Sequence, residues 1–127
     1  MGSEMCIRDS TSSSKPVLND PEQLTHVRHI SAIGSNALSR RELAPRVVTG
    51  ARKIVVDSID TAKGEAGDLL SPIENGKLYW SQVSELGSEL ARKDKESDPG
   101  YTIFCSQGLA VQDLYAGVRV LKELDQL

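Results

Sequence analysis

At 127 residues, with 39% hydrophobic and 26% charged side chains, the chain has the size and composition of one globular domain with a sizeable core. A net charge of −3 with no long Lys/Arg run, and only 4% aromatic residues, speak against nucleic acid or an anionic membrane as partner. No apolar run approaches the roughly 20 residues that span a bilayer and no signal-peptide core appears, while Cys6 and Cys105 make no disulfide framework and point to a reducing, cytoplasmic setting.

Met1 to Ser10 reads Met-Gly-Ser-Glu-Met-Cys-Ile-Arg-Asp-Ser and resembles, in register throughout, a translated transposase adapter of the kind used to prepare sequencing libraries. Residues 1–10 are therefore expected to be an artefact without order, and are set aside from fold reasoning. On that reading the protein's own sequence begins at Thr11 as a piece of a longer one, and Cys105 is its one cysteine.

Thr11 to Ser14 is a small polar cluster, and Asn19-Asp20-Pro21 signals a turn. A short apolar strand from about His29 to Ile33 breaks at Gly34 and delivers Ser35 and Asn36 into a polar loop. Ser39 with Glu42 three residues on resembles a capping box. Pro45 suits the first turn of a helix running to about Ala51, with Gly50 near its end.

Lys53-Ile-Val-Val-Asp57 is a continuous β-branched run, the pattern of a strand buried on both faces of a parallel sheet. Ser58 to Glu65 reads as helix, and Ser71-Pro72-Ile73-Glu74 as a helix start with Ser71 as cap. Ser81 to Ala91 reads as a further short helix, and Arg92 to Gly100 as a charged, solvated loop. Tyr101 to Cys105 is a third strand ending at Ser106-Gln107-Gly108. The final helix runs from about Leu109 to Leu124, with Ala110, Leu114, Val118 and Leu121 on one apolar face. This alternation of strands and helices is the grammar of a parallel α/β fold, in which ligands gather at the carboxyl ends of strands. Asn36 is accordingly the first candidate for chemistry.

Four blocks stand in order: Thr11-Ser-Ser-Ser-Lys-Pro-Val-Leu18; His29 to Leu43; Val55-Val-Asp-Ser58 with Glu65-Ala-Gly-Asp-Leu69; and Phe104-Cys-Ser-Gln-Gly-Leu-Ala-Val-Gln-Asp113. Together they resemble the C-terminal part of the ornithine cyclodeaminase/mu-crystallin family. That resemblance implies an α/β fragment, the C-terminal half of a Rossmann-like parallel sheet plus a C-terminal helix. Residues 11–108 would be the second half of an NAD(P)-binding domain and residues 109–127 the helix. The implied function is that of an NAD or NADP-dependent oxidoreductase acting on amino-acid or cyclic-imine C–N bonds. The alternatives are an ornithine cyclodeaminase, or a non-catalytic mu-crystallin-like binder of a nucleotide and a small ligand. A homodimeric parent is implied as well. No G-x-G-x-x-G occurs in the chain, so a pyrophosphate cradle is lacking and the chain alone is expected to be inactive.

Asn36 matches the position where cyclodeaminases of the family carry a catalytic Asp. An amide hydrogen-bonds a substrate but does not take and return protons, which moves the expected reaction toward imine reduction or amino-acid oxidation. The alternative for Asn36 is turn geometry after Gly34. Gly34, Ser35 and Asn36 would meet the substrate. Thr11, Ser12 and Ser13 match a loop near the cofactor's ribose and nicotinamide, or form a plain polar junction. Ser106 and Gly108 match positions beside the nicotinamide, although Gly108 equally suits a tight turn.

Glu42, within the Arg40-Arg41-Glu42 motif, is expected to clamp or cap rather than to donate protons. His26 and His29 lack partners at metal-ligand spacing, so no metal is expected, and Cys105 reads as an inert buried thiol. Departures from the family pattern are Val27-Arg28 in place of a Pro-Gly turn and Ala44 in place of a capping Asp. The loop from Arg92 to Gly100 also lacks the family's Gly and Arg landmarks.

Overall fold

A computed structural model describes residues 15–34, 36–93 and 98–124. Within them, four short strands form one parallel sheet: β1 (His29–Ala32), β2 (Lys53–Val56), β3 (Val83–Glu85) and β4 (Thr102–Cys105), in the order β1-β4-β2-β3. Five helices accompany it: α1 (Pro45–Thr49), α2 (Ile59–Glu65), α3 (Gly67–Glu74), α4 (Leu86–Ala91) and α5 (Ala110–Glu123). The α/β class with a parallel sheet and a C-terminal helix is thus the architecture observed.

Local chemistry explains several boundaries. Pro45 occupies the first turn of α1, where its missing N–H removes nothing, and Gly50 closes the helix. Ala44, where a capping Asp was expected by resemblance, makes no side-chain cap. Ser58 caps α2 by accepting the Thr61 N–H at 3.4 Å. Asp20 caps a single 3-10 turn at Pro21–Leu24 by accepting the Glu22 N–H.

The register sets the working edge. Ala32 of β1 and Val56 of β2 both stand opposite Cys105 of the central strand β4. The three strands therefore end level, and the residues that follow them emerge side by side.

Alternation along these strands sends Ile30, Ala32, Ile54, Val56, Ile103 and Cys105 to one face. There they form a core with Val47 and Val48 of α1, Ala62 of α2 and Leu69 of α3. Val47, Val48, Val56, Leu69 and Ile103 are all 0% exposed. The Tyr101 hydroxyl donates to the Val47 carbonyl at 2.6 Å and ties the start of β4 to α1.

Four expectations are corrected. The run Lys53–Asp57 is not covered on both sides: Lys53, Val55, Thr102 and Phe104 line a shallow hollow on the opposite face. Of the helices, α4 brings only Leu86 and Glu89 to that hollow, so covering apolar mass is lacking there among the described residues.

The segment Ser81 to Ala91 is not one helix. It divides into a 3-10 turn at Trp80–Gln82, strand β3 and helix α4, because edge pairing of β3 with β2 overrides local propensity.

Ser71 does not start a helix. Helix α3 starts at Gly67 and ends at Glu74, and Ser71 accepts from Asn75 at its exit. Gly67 permits this start because a Cβ there would lie 2.0 Å from the Arg40 carbonyl oxygen.

Ser39 and Glu42 form no capping box, since the first helix begins only at Pro45 and Glu42 is buried for another purpose. Helix α5 forms as expected, but its apolar residues Leu114, Val120 and Leu121 are exposed.

Candidate functional site

The carboxyl edge of the sheet gathers Gly34 and Asn36 after β1, Asp57 after β2, and Ser106, Gln107 and Gly108 after β4. The Ser106 N–H donates to the Ala32 carbonyl at 3.0 Å, so the exit of β4 is fastened to the last residue of β1.

Asp57 organises the loop that follows. Its Oδ2 accepts the Ser106 hydroxyl at 2.6 Å, the Gln107 N–H at 2.9 Å and the Gly108 N–H at 3.1 Å. Its Oδ1 accepts the Gln112 side-chain amide at 2.9 Å, and Gln112 Oε1 accepts the Leu109 N–H at the mouth of α5. Burial alone would raise the Asp57 pKa. The hydrogen bonds from Ser106, Gln112, Gly108 and Gln107 outweigh it and hold the carboxyl below its ordinary value.

Gly108 has φ +79°, a conformation that favours glycine, and a Cβ there would meet nothing within 4 Å. The turn explains this glycine, and the space beside it is open. Gln107 Oε1 is buried without a hydrogen-bond partner among the described residues.

A second carboxylate system holds the β1 loop. Asp68, in the first turn of α3 and 3% exposed, accepts the N–H groups of Glu42 at 2.6 Å and Leu43 at 2.9 Å through Oδ1. The Glu42 side chain, also buried, accepts the Gly34 N–H. Glu42 is therefore the loop clamp expected of it. Burial pushes the Asp68 pKa up to about 6; the two amides pull it down and the Glu42 charge raises it again. Burial, with the charges of Asp68 and Glu42 nearby, also drives the Cys105 thiol well above its ordinary range, so this thiol is inert.

The expected site residues divide in two. Gly34, Asn36, Ser106 and Gly108 share the carboxyl edge, with Asn36 exposed. Thr11, Ser12, Ser13 and Ser35 lie outside the described residues. His29 sits on the open sheet face, its Nδ1 2.6 Å from the Thr102 hydroxyl across the β1–β4 pair, away from the edge. Asp57, Asp68 and Gln112 were not singled out from the sequence. An acidic residue closing an apolar strand is a readable signal for Asp57, whereas nothing in Gly67-Asp68-Leu69 announces a buried carboxylate. Among the described residues no group of three His, Cys, Asp or Glu could hold a metal ion, and no helix is long and apolar enough to cross a membrane.

No family model matches the chain. It is 37% identical over 108 residues to the Δ1-pyrroline-2-carboxylate reductase of Bacillus thuringiensis subsp. konkukian, covering 83% of this chain and 33% of that protein. Its fold matches an archaeal alanine dehydrogenase dimer solved with bound NAD, with TM-score 0.72, 33% identity, and coverage of 89% of this chain and 35% of the other. It also matches a probable ornithine cyclodeaminase from Bordetella pertussis Tohama I, with TM-score 0.68, 26% identity and coverage of 90% and 38%. The chain thus spans about a third of the length of the curated relatives it matches. Four sequence blocks in order, a Rossmann-like parallel sheet and these likenesses place the chain in the ornithine cyclodeaminase/mu-crystallin family.

Proposed function

We propose that the chain forms part of an NAD(P)-dependent oxidoreductase acting on the C–N bond of an amino acid or cyclic imine, of the ketimine or pyrroline-carboxylate reductase or amino-acid dehydrogenase type. The observation that carries this reading is the level exit of β1 and β4, which sets the Asn36 loop and the Ser106–Gly108 loop side by side. Residues 11–108 would belong to the nucleotide-binding domain and residues 109–127 to a helix that follows it. A homodimeric parent in a cytoplasmic setting completes the proposal, with the apolar side chains of α5 covered in the whole protein.

The bound cofactor would supply the hydride chemistry. The residues present fit its nicotinamide end: Ser106 offers a hydroxyl, and the space beside Gly108 is open. Thr11, Ser12 and Ser13 would join them there. Gly34, Ser35 and Asn36 would meet the substrate. Asn36, an amide, orients a substrate by hydrogen bonds but does not exchange protons with it, which favours reduction over ring-closing deamination.

The test is a chimera in which residues 15–124 replace the matching third of the Bacillus thuringiensis reductase. NADH oxidation with Δ1-pyrroline-2-carboxylate and no ammonia release from ornithine is the expected result. Ammonia release with Asn36 in place would overturn the assignment of Asn36. NADH binding without turnover would show a binder instead of an enzyme.

A further inference from the structure

We infer that Asp57 is a positioning residue for the Ser106–Gly108 loop, and that by accepting the Ser106 O–H hydrogen bond it leaves this hydroxyl as an acceptor that selects an amide-bearing ligand over its carboxylate analogue. The ligand half of this inference rests on the proposed function, in which the loop meets a nicotinamide. The loop-positioning half stands on the hydrogen bonds alone.

A serine hydroxyl carries one proton and two lone pairs. The 2.6 Å separation from Asp57 Oδ2 is that of a charge-assisted O–H···O⁻ bond, so the proton lies toward Asp57. The carboxylate accepts only, and its four donors are uncharged and come from three places: the Ser106 side chain, the Gln107 and Gly108 backbone, and the Gln112 side chain. Oδ2 takes three of them and Oδ1 the fourth, which fixes the carboxylate in rotation.

Reversing the Ser106 hydroxyl would leave its lone pairs facing Oδ2 at that short distance. Ser106 therefore meets a ligand with its lone pairs. A carboxamide N–H matches them, and a carboxylate oxygen opposes them.

Replacing Asp57 by Asn changes the pattern at its source. An amide has one oxygen and a donor NH₂ group, so one side of residue 57 would confront a donor. Replacing Ser106 by Ala removes the lone pairs but leaves Asp57 with its other three donors, so the loop keeps its anchor.

The experiment uses the 127-residue chain, isotopically labelled, followed by amide proton–nitrogen correlation spectra. The probes are nicotinamide mononucleotide and nicotinic acid mononucleotide. The unmodified chain is expected to bind the amide form about tenfold or more tightly than the acid form, the effect of opposing two acceptors. Asp57→Asn should displace the Gln107 and Gly108 amide resonances and erase the preference. Ser106→Ala should leave those two resonances near their places and narrow the preference.

Equal or tighter binding of the acid form by the unmodified chain would overturn the proton assignment. Unmoved Gln107 and Gly108 resonances in Asp57→Asn would overturn the positioning role. If Asp57→Asn does not fold, a preference undiminished in Ser106→Ala refutes the inference by itself. Absence of any response to either mononucleotide would overturn the ligand preference, the functional reading being decided by the chimera, while the resonances in Asp57→Asn still decide the role of Asp57.

Discussion

Asp68 and Glu42 form a relay of backbone capture: Asp68 accepts the Glu42 N–H at 2.6 Å, and the Glu42 side chain accepts the Gly34 N–H. Two buried carboxylates, Glu42 in the loop before α1 and Asp68 in α3, thereby position the loop that carries Asn36. Burying the Asp68 carboxyl in the charged form is expensive, which makes the relay sensitive to pH and to mutation.

The pH dependence has a definite sign. Because the folded state holds the Asp68 pKa near 6 against an ordinary value of 3.8, the folded protein binds the proton more tightly than the unfolded chain. The contribution of Asp68 to stability is therefore fully present below pH 3.8 and is lost as pH rises through about 6. Urea midpoints should fall between pH 5 and pH 7 in the unmodified chain, a window bracketing that raised pKa. Asp68→Asn keeps an oxygen for the two amides without the charge, so its midpoint should be flat across this window. Asp68→Ala strands two amides and should lose about 2–3 kcal/mol. A midpoint that rises toward pH 7 in the unmodified chain would contradict the relay.

Gly67 tests the contact between α3 and the loop from the other side. A Cβ at residue 67 would lie 2.0 Å from the Arg40 carbonyl oxygen and 2.6 Å from that of Ala37, both backbone atoms that cannot yield cheaply. Gly67→Ala should cost about 2–3 kcal/mol by overpacking. Gly64→Ala, in α2 with nothing within 4 Å of the new methyl, should instead stabilise by about 0.5–1 kcal/mol through helix propensity. Thermal melts of the pair decide it, and equal shifts would refute the close approach.

Asn36 is exposed at the tip of its loop, so its replacement tests chemistry apart from stability. Asn36→Asp should leave the melting temperature of this chain within the shift expected of about 0.5 kcal/mol. In the chimera with the Bacillus reductase, the same change should introduce a carboxylate-dependent pH profile, since Asp exchanges protons and Asn does not. A profile unchanged by the substitution would remove Asn36 from the substrate side.

Much of this architecture is legible in the sequence because its signals are local. The run Lys53-Ile-Val-Val-Asp57, the Ser58 cap and the Pro45-to-Gly50 bracket each rest on neighbours within one element. Strand β3 is hidden because three residues carry no period, and pairing with β2 alone makes them a strand. Asp57 and Asp68 are hidden as anchors because their partners lie 49 or more and 25 or more positions away in the chain respectively. An apolar strand also reads alike whether one face or both are covered, so the run through Val55 reads as buried on both sides although Val55 lines the hollow.

That last point yields a test on two adjacent residues of the central strand. Ile103 is 0% exposed and packs into the core, whereas Phe104 points to the opposite, partly open face with His29, Lys53 and Val55. Ile103→Ala should cost about 2–4 kcal/mol from lost burial and the cavity left behind. Phe104→Ala removes a larger side chain, yet on a half-buried, partly open face it should cost less than Ile103→Ala, about 1–2 kcal/mol. Urea titration of both variants checks the order. A Phe104 loss exceeding that of Ile103 would mean that the second face is covered in solution by another copy of the chain, and it should then grow with protein concentration.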